Sequence, residues 1–224
     1  MRHVLVETNW VFAYAAPGHH KVLDAVALLE RARANDLQLH LPALCLTEAR
    51  HAILNKCQPR YEANAIRQFL ARAKSEQTVS ADQARAAREV LYLFERQVQT
   101  EIGQLDDVLS SLHTMPGLEQ FPLNERMLER AIDLARSDLW LKPFDQAILA
   151  AVLVRAEELR AAGETDLCFC EMDADLQPWA DRGGAKQPLT SYYDDARVWV
   201  YGDFNMDSPA MPHDWPDFIP PRAR

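Results

Sequence analysis

Glycine is scarce in this chain, 7 residues in 224, while helix formers are abundant, so helix is expected to dominate over strand. No Gly-rich run of the kind that cradles phosphates is present. Long apolar runs are missing too. Nothing approaches the roughly 20 residues of a membrane span. The opening MRHVLVETNW has too short an apolar run, and no cleavage pattern, for a signal peptide, so a cytoplasmic location is expected. Cysteine is limited to Cys45, Cys57, Cys168 and Cys170. A single Cys-x-Cys pair without a second pair is no zinc pattern, which leaves reduced thiols in or near the core. An excess of basic charge is also absent. The net charge of −9 argues against a protein that coats nucleic acid. It leaves room for an enzyme that gathers carboxylates around metal ions and grips its substrate with a local basic patch. No Ser/His/Asp or Cys/His arrangement competes for a catalytic role, and His19-His20 fall in a loop after Pro17-Gly18. There is no internal repeat.

What is present is an ordinary globular balance, 48% hydrophobic and 25% charged, enough for a core. HVLVE (3–7) reads as a short buried strand, with a helix beginning near Asn9 as its cap. Residues 20–35 carry helical spacing. LQLHL (37–41) reads as a second strand, and Pro42 leads into a helix over 43–55. Residues 60–113 read as wholly helical, and MPGLEQFPLN as a break. Helices are expected over 124–137 and 143–162, a third strand at LCFCE (167–171) and a fourth at RVWVYG (197–202), with Gly183-Gly184 opening the loop before it. Strands alternating with helices predict a three-layer α/β/α fold with a central, mostly parallel sheet. The chain then divides into an α/β domain over 1–205, a helical arm inserted in it at about 60–113, and a Pro-rich tail over 206–224.

Four carboxylates draw attention. Glu7 and Asp173 follow strands, where ligands of parallel sheets bind. Glu48 shares a helical stripe with Leu44, Cys45, Ala49, Ala52 and Ile53, and a carboxylate on an apolar stripe must be paired, protonated or bound to a cation. Asp145 opens a helix that runs apolar from Ala147 to Val154. A helix start favours an acid in any case, but a right-handed crossover brings this one to the same rim. Four such groups in one cleft cannot all ionise without counter-charge, and hard cations such as Mg²⁺ or Mn²⁺ supply it through oxygen ligands.

These segments together resemble PIN-domain nucleases. HVLVETNWVFAY resembles the opening motif, a strand followed by an acid, Thr or Ser, and Asn. LPALCLTEARHAIL resembles the second, PFDQAILAAVLV the third and LCFCEMDADLQPW the fourth. The likeness covers residues 1–55 and 124–205. It implies Glu7, Glu48, Asp145 and Asp173 as catalytic, metal-binding carboxylates, with Asp175 as an extra ligand and Thr8 and Asn9 as polar helpers. The implied activity is cleavage of RNA, often single-stranded, by a metal-activated water, and many members are toxins paired with an antitoxin. Two positions depart from the pattern: Glu7 stands where the family usually has Asp, and Met172 replaces a polar residue.

Substrate contacts are expected from Arg50, Lys56 and Arg60, with His51 and Arg67 nearby. A second reading is a catalytically silent binding module, in which the arm holds a protein partner or a second copy through Leu91, Leu93, Phe94, Val98 and Ile102. A third keeps the chemistry and makes the substrate DNA.

Overall fold

The computed structural model describes residues 1–137, 139–179 and 185–206. Short segments, mostly apolar and buried apart from the polar-centred edge strand β3, form a parallel sheet: β1 (Arg2–Leu5), β2 (Leu37–Pro42), β3 (Leu118–Phe121), β4 (Leu167–Cys170) and β5 (Trp199–Tyr201). The spatial order is β3-β2-β1-β4-β5, and every pairing is parallel. Helices fill the connections and flank the sheet, giving the three-layer α/β/α architecture expected. They are α1 (Thr8–Ala15), α2 (Leu23–Arg33), α3 (Leu44–Lys56), α4 (Pro59–Ser75), α5 (Ala81–Gly103), α6 (Leu105–Ser111), α7 (Glu125–Arg136), α8 (Pro143–Ala161) and α9 (Leu189–Ala196). Among the described residues, no helix is long and apolar enough to cross a membrane.

Several local expectations need correction. β1 ends at Leu5, and α1 is capped by Glu7, not by Asn9. The Glu7 side chain accepts from the Asn9 backbone N–H at 2.7 Å. The stretch 60–113 is interrupted at 76–80, where Ser80 starts α5 with a capping box to Gln83. The supposed break MPGLEQFPLN contains β3, an edge strand whose central Glu119 and Gln120 are only half-buried. Its polar middle hides it from any apolar-run criterion. Gly117 turns the chain into it at φ +78°, and a Cβ there would lie 2.2 Å from the Ala32 carbonyl oxygen. Helix α9 was not expected. Gly183-Gly184 and the tail from 207 onward lie outside the described residues.

The inserted helices pair α4 against α5 over a small core of their own, Ala63, Leu70 and Leu91. The arm positions named above do not form one free surface. Leu91 and Val98 are buried, Ile102 packs on the main core, Phe94 meets His19 edge-on, and Leu93 is exposed. A polar chain ties β1, β2, β3 and α8: His3 Nδ1 lies 2.9 Å from His40 Nε2, His40 Nδ1 lies 3.0 Å from Glu119, and Arg155 pairs with Glu119. Burial, then Arg155 and His3, push His40 down to about 3, so its ring is neutral at ordinary pH.

Candidate metal centre

The connections of this sheet run outward from β1 in one direction through β2 and β3, then in the other through β4 and β5. The reversal falls between β1 and β4. The chain diverges there at the carboxyl ends of the strands, leaving the crevice where open α/β sheets bind ligands. Glu7 lies two residues beyond β1, and Glu171 directly follows β4. The β1–β4 register pairs Leu5 with Phe169. Continued by two residues, it sets Glu7 level with Glu171 on adjacent strands, which lie about 4.8 Å apart.

Both carboxyl groups are out of water: Glu7 is 4% exposed and Glu171 0%. Burial pushes Glu7 up to about 8, with repulsion from Glu48 and Asp173 adding to it, while the Asn9 N–H opposes. Burial likewise holds Glu171 well above the usual carboxylate range, with Glu7 the next cause. Its Oε1 accepts from the Asp173 backbone N–H, and its Oε2 is buried with no hydrogen-bond partner.

The other acids arrive from helices and the β4 turn. Glu48 is half-buried on α3, whose Cys45, Ala49 and Ile53 pack into the core, and the Thr8 hydroxyl donates to its Oε2. Asp145 sits in the first turn of α8 with Oδ2 buried and unpartnered. Burial raises it, Asp173 raises it further, and Lys142 opposes. Asp173 accepts from the Asp175 N–H at 2.8 Å, which orders the turn after β4.

Glu7, Thr8, Asn9, Glu48, Asp145 and Asp173 all line one cleft of about 360 Å³, together with Lys56 and with Phe12, Lys142 and Phe144. The four carboxylates singled out by sequence therefore do meet. The other candidates do not join them. Asp175 is exposed outside the lining, 3.9 Å from the Lys142 ammonium. Arg50 is turned to α6, where it binds Asp106 through two hydrogen bonds at 2.6 and 3.0 Å. Arg67 pairs with Glu95 inside the α4–α5 hairpin. Arg60 is exposed and does not line the cleft. Sequence reasoning missed Glu171 and Lys142. Glu171 was read as the last residue of a strand, and only the β1–β4 pairing reveals it as the neighbour of Glu7.

Among the described residues, no three His, Cys, Asp or Glu side chains converge closely enough, as they stand, to cage one ion. The donor chemistry still suits a hard divalent cation. The lining acids offer oxygen only, the buried Asp145 Oδ2 has no hydrogen-bond partner, and Lys56 and Lys142 are the lining cations. In comparisons with known proteins, no family model and no curated protein matches this chain.

Proposed function

We propose that this chain is a metal-dependent endoribonuclease of the PIN-domain type, acting in the cytoplasm. The observation that carries the reading is the meeting of Glu7, Glu48, Asp145 and Asp173 in one cleft at the sheet's reversal point, drawn from four separate stretches of sequence. Glu7, Glu48, Asp145 and Asp173 would hold Mg²⁺ or Mn²⁺, with Glu171 behind Glu7. A bound cation of this class neutralises such carboxylates and lowers the pKa of a water for in-line attack on a phosphodiester. The chain's own groups do the positioning. Thr8 fixes the Glu48 carboxylate, the Asn9 N–H fixes Glu7, and the Lys56 and Lys142 ammonium groups attract the scissile backbone to an otherwise acidic cleft.

The test is cleavage of a labelled single-stranded RNA in Mg²⁺ or Mn²⁺. Wild-type protein should cut it, EDTA should stop it, and Asp145→Asn should lower the rate by about 100-fold or more, the scale expected when one preorganised charge is lost. Equal rates for wild type and variant would refute the assignment. The same assay with single-stranded and flap DNA separates an RNA from a DNA substrate. A second reading, a silent module that works by binding a protein such as an antitoxin or a second copy, draws on the buried Glu7–Glu171 pair and on the lack of a ready three-residue cage. It predicts no cleavage of any nucleic acid at millimolar cation.

A further inference from the structure

Trp140 is 99% exposed, the most exposed of the large hydrophobic side chains among the described residues. An exposed indole offers a broad apolar face with a polar edge, a side chain that interfaces recruit. Its neighbours explain its direction. In the segment from Leu139 into α8, Leu139 is buried, Leu141 packs against the core and Lys142 is extended at ψ 154° and exposed. Two residues separate Trp140 from Lys142, so their Cα atoms lie no more than about 7 Å apart. Lys142 lines the cleft, so the Trp140 backbone lies within two residues of its lining.

A second row of rings starts in the cleft on α1. Phe12 lines it, and the Lys56 ammonium lies 5.8 Å from the Phe12 centroid. His20 meets Phe12 edge-on at 6.3 Å, His19 lies 4.2 Å from His20, and Phe94 lies 5.0 Å from His19. The histidines and the adjacent Lys21 are exposed.

Rings and cations thus recur together: Lys56 over Phe12, Lys142 two residues from Trp140, and Lys21 next to His20 in sequence, with the acid Glu101 facing Lys21 and His19. We propose that these pairs form a track for a single nucleic-acid strand, with bases stacking on Trp140 and on the His19–His20 ledge while the ammonium groups meet phosphates. Rings alternating with cations suit a strand that alternates bases and phosphates. A protein partner would want a broad apolar patch, whereas here a narrow row of rings is interspersed with ammonium groups. A duplex hides its base faces and offers nothing to Trp140. On a chain of net charge −9, the attraction has to be local. The proposal rests on the cleft acting on a phosphodiester backbone.

The test uses the full chain carrying Asp145→Asn, so that bound strands are not cut. Anisotropy of a labelled 12-nucleotide oligouridine, a duplex of equal length and an abasic strand of equal phosphate number is followed at fixed salt in Mg²⁺. The oligouridine should bind more tightly than the other two. Trp140→Ala should weaken oligouridine binding about 5- to 100-fold, the worth of one stacked base, and leave the abasic strand unchanged. Trp140→Phe should restore most of the loss, and His19→Ala with His20→Ala should weaken it separately. Because the indole is fully exposed, loss of fold is not expected, and circular dichroism checks it. The track is overturned if Trp140→Ala leaves oligouridine binding unchanged, if it weakens the abasic strand equally, or if no strand binds. Cleavage by the otherwise wild-type chain, assayed in parallel, separates the two claims. Cleavage without Trp140 dependence sinks the track and spares the nuclease, while Trp140-dependent binding without cleavage does the reverse.

Discussion

Glu7, which lines the cleft, and Glu171 behind it are neighbouring buried acids, and their protonation links the site to stability. Glu7 has a folded-state value of about 8 against 4.5 when unfolded. Between these the folded state holds the extra proton, so its contribution is complete below pH 4.5 and is lost as pH rises through 8. His40 works in the opposite sense. Its folded value of about 3 lies below 6.5, so the unfolded chain holds the extra proton between them, and stability is lost as pH falls from 6.5 toward 3. Without cation, urea melts should show a maximum near pH 4.5, a shallow decline up to about 6.5 where His40 opposes Glu7 and Glu171, a steeper decline above it, and a decline below 4.5. Each group sets a slope of at most about 1.4 kcal/mol per pH unit. Glu7→Gln should flatten the alkaline decline, and an unchanged decline would show that Glu7 is ionised in the free protein. The residues behind this behaviour were unevenly legible. Glu48 stood out because a lone acid on the Cys45–Ala49–Ile53 stripe conflicts with its surroundings. Glu171 did not, because its significance depends on which strand lies beside it, a long-range fact that local pattern does not carry.

At the scale of elements, the long strands and helices follow from local rules, and the discrepancies sit where tertiary contacts override them. β3 forms from a polar-centred LEQF because β2 offers it an edge to pair with and Gly117 provides the turn. Gly117→Ala should therefore be severely destabilising, about 3 kcal/mol or more, since the added carbon meets backbone and positive φ adds strain. A urea melt within 1 kcal/mol of wild type would mean that this turn is not formed as described. The α4–α5 hairpin has its own small core, so it should open separately from the sheet. Leu91→Ala should remove about 2–3 kcal/mol of protection from amide exchange in α4, and leave β1 and β4 at wild-type rates. Equal loss in the strands would mean that the hairpin and sheet unfold as one unit.

At the scale of the molecule, strand order makes the site. Residues 7, 48, 145 and 173 are remote in sequence, and the reversal between β1 and β4 gathers them at one rim. That convergence was expected from sequence because right-handed crossovers and parallel pairing leave few topologies. The placement of cations was expected only for Lys56, which lines the cleft. Arg50 looked like a phosphate ligand until α6 supplied Asp106, and Lys142 gave no sign beyond preceding Pro143. The central claim is that these acids exist to hold a divalent cation, and calorimetric titration of Mn²⁺ into metal-free protein at pH 7.5 tests it most directly. Micromolar to low-millimolar binding is predicted, accompanied by proton release from the Glu7–Glu171 pair and abolished in Asp145→Asn combined with Asp173→Asn. No heat of binding at 10-fold higher Mn²⁺, or undiminished binding in the double variant, would contradict it.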